Sequence, residues 1–284
     1  MKPGSPPELF VVGSGRSGTT VVLAGISCAP GVMAIPRLAG RVAWATGMAA
    51  RMTRHQVGPS SWRRPSPEST AIFSEAGLTQ DLQVSLRRSV SKCDESTLHM
   101  ERMAQRFNSI RVHGNVGTVV VKNTAACARV PILATTFPRA AFVHVLRHPG
   151  WVIDSLLQTR FWTDMTLWWD GRTVAEYAHA NKMSLETVAA RHWSKQVTSL
   201  SRDLGDLAES RSLIIRYEKF VQDSATQLAR LNRVGLSFED STWTERLAHL
   251  DIHPLQQGRL LSREIQRSID NECAGTASSL GIVL

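Results

Sequence analysis

Apolar residues fall into two kinds of stretch along this chain. Some are short unbroken runs: Leu9-Phe10-Val11-Val12, Val32 to Ile35, Thr118-Val119-Val120-Val121, Phe142-Val143-His144-Val145-Leu146 and Ser212-Leu213-Ile214-Ile215. Runs of this length, rich in β-branched residues, predict strands buried on both faces. Elsewhere apolar residues recur every three or four positions, which predicts helices. Val42, Ala45, Met48, Ala49 and Met52 mark such a stripe within residues 38–57, with Arg41, Arg51 and Arg54 lying off it as a solvated basic face or, less favoured, a patch for an anionic ligand. Leu78, Leu82, Leu86 and Val90 mark another, and Leu98, Met103, Phe107 and Ile110 a third. A long stripe after Ser184 carries Leu185, Val188, Val197, Leu200 and Leu204.

Punctuation sets the boundaries. The first strand covers 9–13 and its helix runs to about Cys28, ended by Ala29-Pro30-Gly31. Pro131 opens a helix, Thr173 with Glu176 has the capping-box pattern, and Asp223 caps a helix that ends near Gly235. Ser262 to Cys273 is a terminal helix, stopped at Gly275. Strands alternating with helices predict an α/β fold: a central parallel sheet with helices on both faces and ligands at the strand C-termini. Residues 38–112 are expected to be a helical insertion within one domain spanning 1–284. Within it, 59–69 is a Ser- and Pro-rich loop, a possible lid over a ligand. Residues 1–8 read as a short polar tail.

Composition narrows the class. Apolar residues make up 43% and charged residues 20% of the 284, a globular composition. No apolar run reaches the length of a transmembrane span, and the N-terminus has no signal-peptide core. Cys28, Cys93, Cys127 and Cys273 are widely spaced, so reduced core thiols and a cytoplasmic address are expected. The net charge of +9 would suit nucleic acid, yet the arginines are scattered and no recognition motif is present. A basic cleft for an anionic nucleotide fits better, and no nucleic-acid partner is expected.

The segment between the first strand and its helix holds the chemistry. Gly13-Ser14-Gly15-Arg16-Ser17-Gly18-Thr19-Thr20 combines three glycines, four hydroxyl residues and one arginine. Strand, Gly-rich turn and helix form a cradle in which backbone N–H groups and the helix N-terminus face an anion. Gly13 and Gly18 have the spacing of the nucleotide P-loop, and Thr20 fills its hydroxyl position. Its lysine position, however, is Thr19, and the only cation is Arg16. The strands end in Lys122, Arg147 and Arg216-Tyr217, where a kinase or NTPase needs an aspartate for Mg²⁺. These strand ends promise a ring of cations for a charged group transferred without metal, on a three-layer, P-loop-like fold.

The loop resembles the 5′-phosphosulfate loop of sulfotransferases that use 3′-phosphoadenosine-5′-phosphosulfate (PAPS). It is most similar to the bacterial and tyrosylprotein-type branch, with Gly15 where that branch has proline. Arg147, at a strand end, and Ser155, in the next helix, resemble the family's 3′-phosphate pair. This resemblance implies a PAPS-dependent sulfotransferase that uses no metal and releases adenosine 3′,5′-bisphosphate. It implies that Ser14, Gly15, Arg16, Ser17, Gly18, Thr19 and Thr20 hold the phosphosulfate. It further implies that Lys122 assists transfer, that Tyr217 lies near adenine and that Arg259 adds a 3′-phosphate cation.

The acceptor would be a small molecule sulfated on a hydroxyl or, less favoured, an amine. Trp151, Trp162, Trp168 and Trp169 cluster after Arg147 and could line an apolar or aromatic pocket for it, or serve ordinary packing. The general base departs from the family. The position of the cytosolic members' histidine is Thr124, and Ala34-Ile35-Pro36-Arg37 offers no acid where tyrosylprotein-type members have one. The base must then come from the insertion, where His55, Glu75 and His113 are the candidates, or from the acceptor itself. Glu75 leads, because Ile72-Phe73 could place it in a partly dry cleft and raise its pKa; His113 is next. The rival readings are a P-loop kinase or NTPase and a non-enzymatic nucleic-acid binder.

Overall fold

The computed structural model describes residues 6–36, 46–53, 70–78, 99–238, 242–250, 252 and 261–284. In chain order the first elements are β1 (Glu8–Val12), α1 (Thr19–Ile26), β2 (Val32–Ala34), α2 (Thr46–Thr53), α3 (Thr70–Glu75), α4 (Met100–Gly114) and β3 (Thr118–Lys122). The middle of the chain forms α5 (Val130–Thr136), β4 (Ala141–Leu146), α6 (Pro149–Leu157), α7 (Val174–Asn181), α8 (Leu185–Gly205) and β5 (Ser212–Arg216). Then come α9 (Tyr217–Gln222), α10 (Ser224–Ala229), α11 (Thr242–Ala248), α12 (Arg263–Glu272) and α13 (Ala274–Ser279).

The five strands form one parallel sheet in the order β2-β3-β1-β4-β5. β1 is central, with Phe10 opposite Val121 on one side and Phe142 on the other. The C-termini of β1, β3 and β4 are therefore neighbours, and the loops leaving them converge where ligands bind in such sheets.

Strand side chains alternate between the faces, and each face has its own core. Phe10, Val119, Val121 and Phe142 pack with Ile72 and Phe73 of α3, Met103, Phe107 and Ile110 of α4 and Leu200 of α8. Phe10 and Phe142 stack at 5.3 Å between ring centroids. On the opposite face Leu9, Val11, Val143 and Val145 pack with Val22, Leu23 and Ile26 of α1, and with Phe220 and Leu228. A third cluster joins α6, α7, α8 and α12 around Trp162 and Trp193. Among the described residues no helix is long and apolar enough to cross a membrane. The three described cysteines, Cys28, Cys127 and Cys273, are free and buried.

The predicted caps form. Thr173 and Glu176 make both bonds of the capping box and Asp223 caps α10; Ser184 and Ser262, not singled out as caps in the sequence, also cap α8 and α12. Three boundaries differ from the sequence reading. Residues 6–8 are not a tail: Pro6 and Pro7 carbonyls accept bonds from Thr118 Oγ1 and the Val119 N–H, and Glu8 begins β1. α3 stops at Glu75, because Gly77 takes a φ of 78° and turns the chain before Leu78. The terminal helix predicted from Ser262 to Cys273 is α12, capped by those two residues, but Gly275 is not its stop: it lies inside the following α13, and the left-handed turn comes at Gly281 with φ 61°. Leu82, Leu86, Val90 and Leu98 lie outside the described residues, as do His55, the 59–69 loop and Arg259.

Candidate active site

Gly13 follows β1 so closely that a Cβ there would sit 2.6 Å from the Val145 carbonyl oxygen. Its N–H donates to Cys127 Sγ at 3.3 Å, and the Cys127 thiol donates back to the Gly13 carbonyl at 2.8 Å. Gly18, the N-cap of α1, has φ 91°, and a Cβ there would lie 2.2 Å from the Tyr217 ring. Among the described residues no side chain caps α1, so the N–H groups of Thr19 and Thr20 at its start can turn to an anion.

Arg16 also sits in the left-handed region, at φ 67°, where a long side chain is disfavoured. Two contacts hold it there. Its Nε donates to Ser155 Oγ at 2.9 Å, and its carbonyl accepts from Arg147 Nη1 at 3.0 Å. The loop after β1 and the motif after β4 are thus joined through one residue.

Arg147 stands over the Tyr217 ring, its guanidinium carbon 4.8 Å from the centroid. Burial pulls its pKa below the ordinary arginine value, partly offset by Tyr217 and Glu218. Arg147 Nε and Ser17 Oγ are buried, and neither has a partner among the described residues. Asp154 accepts from Gln158 and also exerts a charge attraction on Arg147. Lys122 is 5% exposed at the end of β3 and reaches the same space. Arg216 does not complete the expected ring. Its guanidinium donates to the Leu280 and Gly281 carbonyls, which turns it toward the end of the chain.

A cavity of about 820 Å³ opens above these strand ends. Gly15, Arg16, Gly18, Thr19, Thr20 and Lys122 line it, and so do Arg147, Ser155 and Tyr217. Ser14 and Ser17 are buried in the loop and are not among the lining residues. Phe161, Met165 and Trp168 supply an apolar wall, with Phe161 56% exposed. Of the four clustered tryptophans only Trp168 lines the cavity; Trp162 and Trp169 pack against the His192 ring, at 5.5 and 5.3 Å between centroids.

Glu75 does not lie in this cavity's lining. Arg106 donates to both of its oxygens, at 2.9 and 2.6 Å. That charged bond holds its pKa below the ordinary value, the reverse of the expected rise. His113 is exposed on α4, with Nδ1 against the Ser109 carbonyl. The cavity instead offers two groups that sequence reasoning passed over, Asp164 and His192, with Gln196 one helical turn beyond His192. A signal existed. Val188, His192, Gln196 and Leu200 form a single i, i+4 stripe on α8, and two polar residues interrupt it.

Residues 7–240 match the model of a family described as the sulfotransferase family. A search of curated proteins finds no match. Among solved structures, the chain is similar to a sulfotransferase from Mycobacterium avium, with a TM-score of 0.61, 14% identity and coverage of 99% of this chain and 78% of that one. It is similar to a sulfotransferase from Mycobacterium tuberculosis H37Rv, with a TM-score of 0.58, 14% identity and coverage of 86% and 71%. The sulfotransferase domain from the curacin biosynthetic pathway matches with a TM-score of 0.55, 17% identity and coverage of 98% and 99%. These structural likenesses show a shared fold. The family match, which takes in the phosphate loop, the Arg147 motif and all five strands, shows that the chain belongs to the sulfotransferase family.

Proposed function

We propose that this protein transfers the sulfuryl group of PAPS to a hydroxyl of a small apolar or aromatic acceptor. Family membership supports sulfuryl transfer in general. The donor assignment rests on one observation above the others: Arg16 bonded at once to Ser155 and to Arg147. A nucleotide bearing a 5′-phosphosulfate and a 3′-phosphate offers one anion to each of the two motifs. The residues present fit that group. Arg147, which lines the cavity, keeps a buried Nε with no partner among the described residues, and among those residues no side chain caps the α1 N-terminus.

PAPS, when bound, supplies an activated sulfuryl group. The loop from Ser14 to Thr20 would hold its phosphosulfate, and Arg147 with Ser155 its 3′-phosphate. Tyr217, flat beneath the Arg147 guanidinium, would stand beside the base. Arg16 and Lys122 would stabilise the charge that develops on the departing phosphate. With four cationic side chains already lining the cleft, Arg16, Lys122, Arg129 and Arg147, and Thr19 where a kinase has lysine, a metal-free transfer is the better reading. The apolar wall of Phe161, Met165 and Trp168 would receive the body of the acceptor. A reducing, cytoplasmic setting belongs to the same proposal, supported by the three free buried cysteines.

The test is calorimetric titration with adenosine 3′,5′-bisphosphate, adenosine 5′-phosphate, and ATP with Mg²⁺. The 3′-phosphorylated nucleotide should bind at least tenfold more tightly than adenosine 5′-phosphate. Equal affinities, or a preference for ATP with Mg²⁺, would overturn the donor assignment.

A further inference from the structure

His192 and Gln196 are the polar pair on the inward stripe of α8, and both line the cavity. They are 3% and 8% exposed. His192 Nδ1 and Gln196 Oε1 are fully buried and have no hydrogen-bond partner among the described residues. The Nε1 of Trp168, on the same apolar wall, is also buried and unpartnered. Each such group is destabilising unless something completes it. Several in one cavity point to a hydroxylic ligand or its water.

The position of this pair is held firmly. Trp193, the next residue on α8, donates through Nε1 to the Arg147 carbonyl at 3.2 Å, so the helix is tied to the second phosphate motif. Arg191, the preceding residue, makes a two-pronged bond to Glu272 of α12, at 2.9 and 2.6 Å. Trp162 and Trp169 flank the His192 ring. The pair therefore sits on a fixed helix between the aromatic wall and the strand-end cations.

We propose that His192 and Gln196 form the subsite for the acceptor hydroxyl, with Gln196 orienting the O–H and His192 accepting its proton. This rests on the sulfotransferase reading above. The acceptor O–H bond breaks and its proton passes to the imidazole, while the oxygen lone pair forms the new bond to sulfur. The bond from sulfur to the phosphate oxygen breaks, and its electron pair leaves on adenosine 3′,5′-bisphosphate. Burial pushes its pKa down to about 3, which keeps the imidazole neutral with its lone pair free but makes it a weak base, so the proton it takes is held only while negative charge develops on the leaving phosphate. Asp164, exposed at the cavity, is the competing base.

The experiment uses 2-naphthol as acceptor probe and the full chain throughout. Binding is followed by tryptophan fluorescence in the presence of adenosine 3′,5′-bisphosphate, and turnover by release of that nucleotide from PAPS. Gln196→Met should weaken 2-naphthol binding about tenfold. His192→Asn should lower kcat by roughly 10²–10⁴ and leave nucleotide affinity unchanged. His192→Gln, which keeps a polar amide, guards against loss of fold, with nucleotide affinity as the control. Asp164→Asn should change kcat less than threefold. The subsite is overturned if His192→Asn and His192→Gln keep more than a third of wild-type kcat, or if Asp164→Asn carries the loss. It is also overturned if wild type fails to bind 2-naphthol. Should that happen while adenosine 3′,5′-bisphosphate binds tightly, the sulfotransferase reading stands and only the subsite falls.

Discussion

Arg16 and Ser155, 139 positions apart, meet at 2.9 Å through a guanidinium-to-hydroxyl hydrogen bond. That bond stabilises a left-handed backbone at Arg16 that the loop would otherwise resist. If Arg16 acts on the transferring group, Ser155 acts partly through it. Arg16→Ala should reduce kcat by roughly a hundredfold while changing affinity for adenosine 3′,5′-bisphosphate much less. Ser155→Ala should have a smaller effect, and the double variant should fall short of the sum of the two. An unchanged kcat with a raised KM in Arg16→Ala would make it a binding residue only.

Arg147 presents a buried Nε with no partner among the described residues, against the face of Tyr217. A charge-assisted bond is worth about 1.5–3 kcal/mol, so Arg147→Ala should weaken adenosine 3′,5′-bisphosphate binding roughly ten- to a hundredfold. Adenosine 5′-phosphate should lose far less. A parallel loss for both nucleotides would show that Arg147 does not read the 3′-phosphate.

Gly18 is irreplaceable for two separate reasons, its φ of 91° and the Tyr217 ring 2.2 Å from where a Cβ would stand. Gly18→Ala should cost about 1–3 kcal/mol of stability from backbone strain alone. It should also push Tyr217 from beneath Arg147. A lowered Tm together with at least tenfold weaker nucleotide binding is the expected result. Wild-type binding in a stable variant would refute the tight contact.

His144 is wholly enclosed in β4, and neither ring nitrogen has a partner among the described residues. Burial pushes its pKa down to about 4 from the ordinary 6.5. Between these values the unfolded chain binds the proton and the folded chain does not. Stability is therefore full above about pH 6.5 and falls as pH drops toward 4, by on the order of 3 kcal/mol for this group. His192 acts with the same sign. His144→Leu should flatten part of this acid limb in denaturant unfolding measured from pH 7 to pH 4. An unchanged slope would mean that His144 does not titrate with folding.

Some of this was legible in the sequence because the relevant interactions are local. Uninterrupted β-branched runs became the parallel strands, Thr173 and Glu176 made their reciprocal cap, and Arg147 and Ser155 kept the spacing of a strand end and the helix after it. What was not legible depended on partners distant in sequence. Glu75 reads as a free carboxylate until Arg106 of α4 closes on it. Arg216 reads as a site cation until the Leu280 and Gly281 carbonyls claim it. His192 reads as one more helical histidine until the packing of α8 turns its stripe toward the strand ends.

The central place of β1 bears on how the protein folds. Glu8 is paired with Val119 and Leu9 with Ala141, so β1 gains neighbours only after more than a hundred residues of chain have closed upon it. Loops of that length form late in an ordered search, because non-local pairing loses chain entropy before it gains contacts. The phosphate loop likewise takes its shape from distant parts of the chain: Val145 of β4 beneath Gly13, Tyr217 against Gly18 and Ser155 on Arg16. A partly folded chain thus has nothing for a nucleotide to grip. Adenosine 3′,5′-bisphosphate should slow unfolding and leave the refolding rate unchanged. Stopped-flow refolding with and without the nucleotide would show this directly, and faster refolding in its presence would mean that the loop is shaped before the sheet closes.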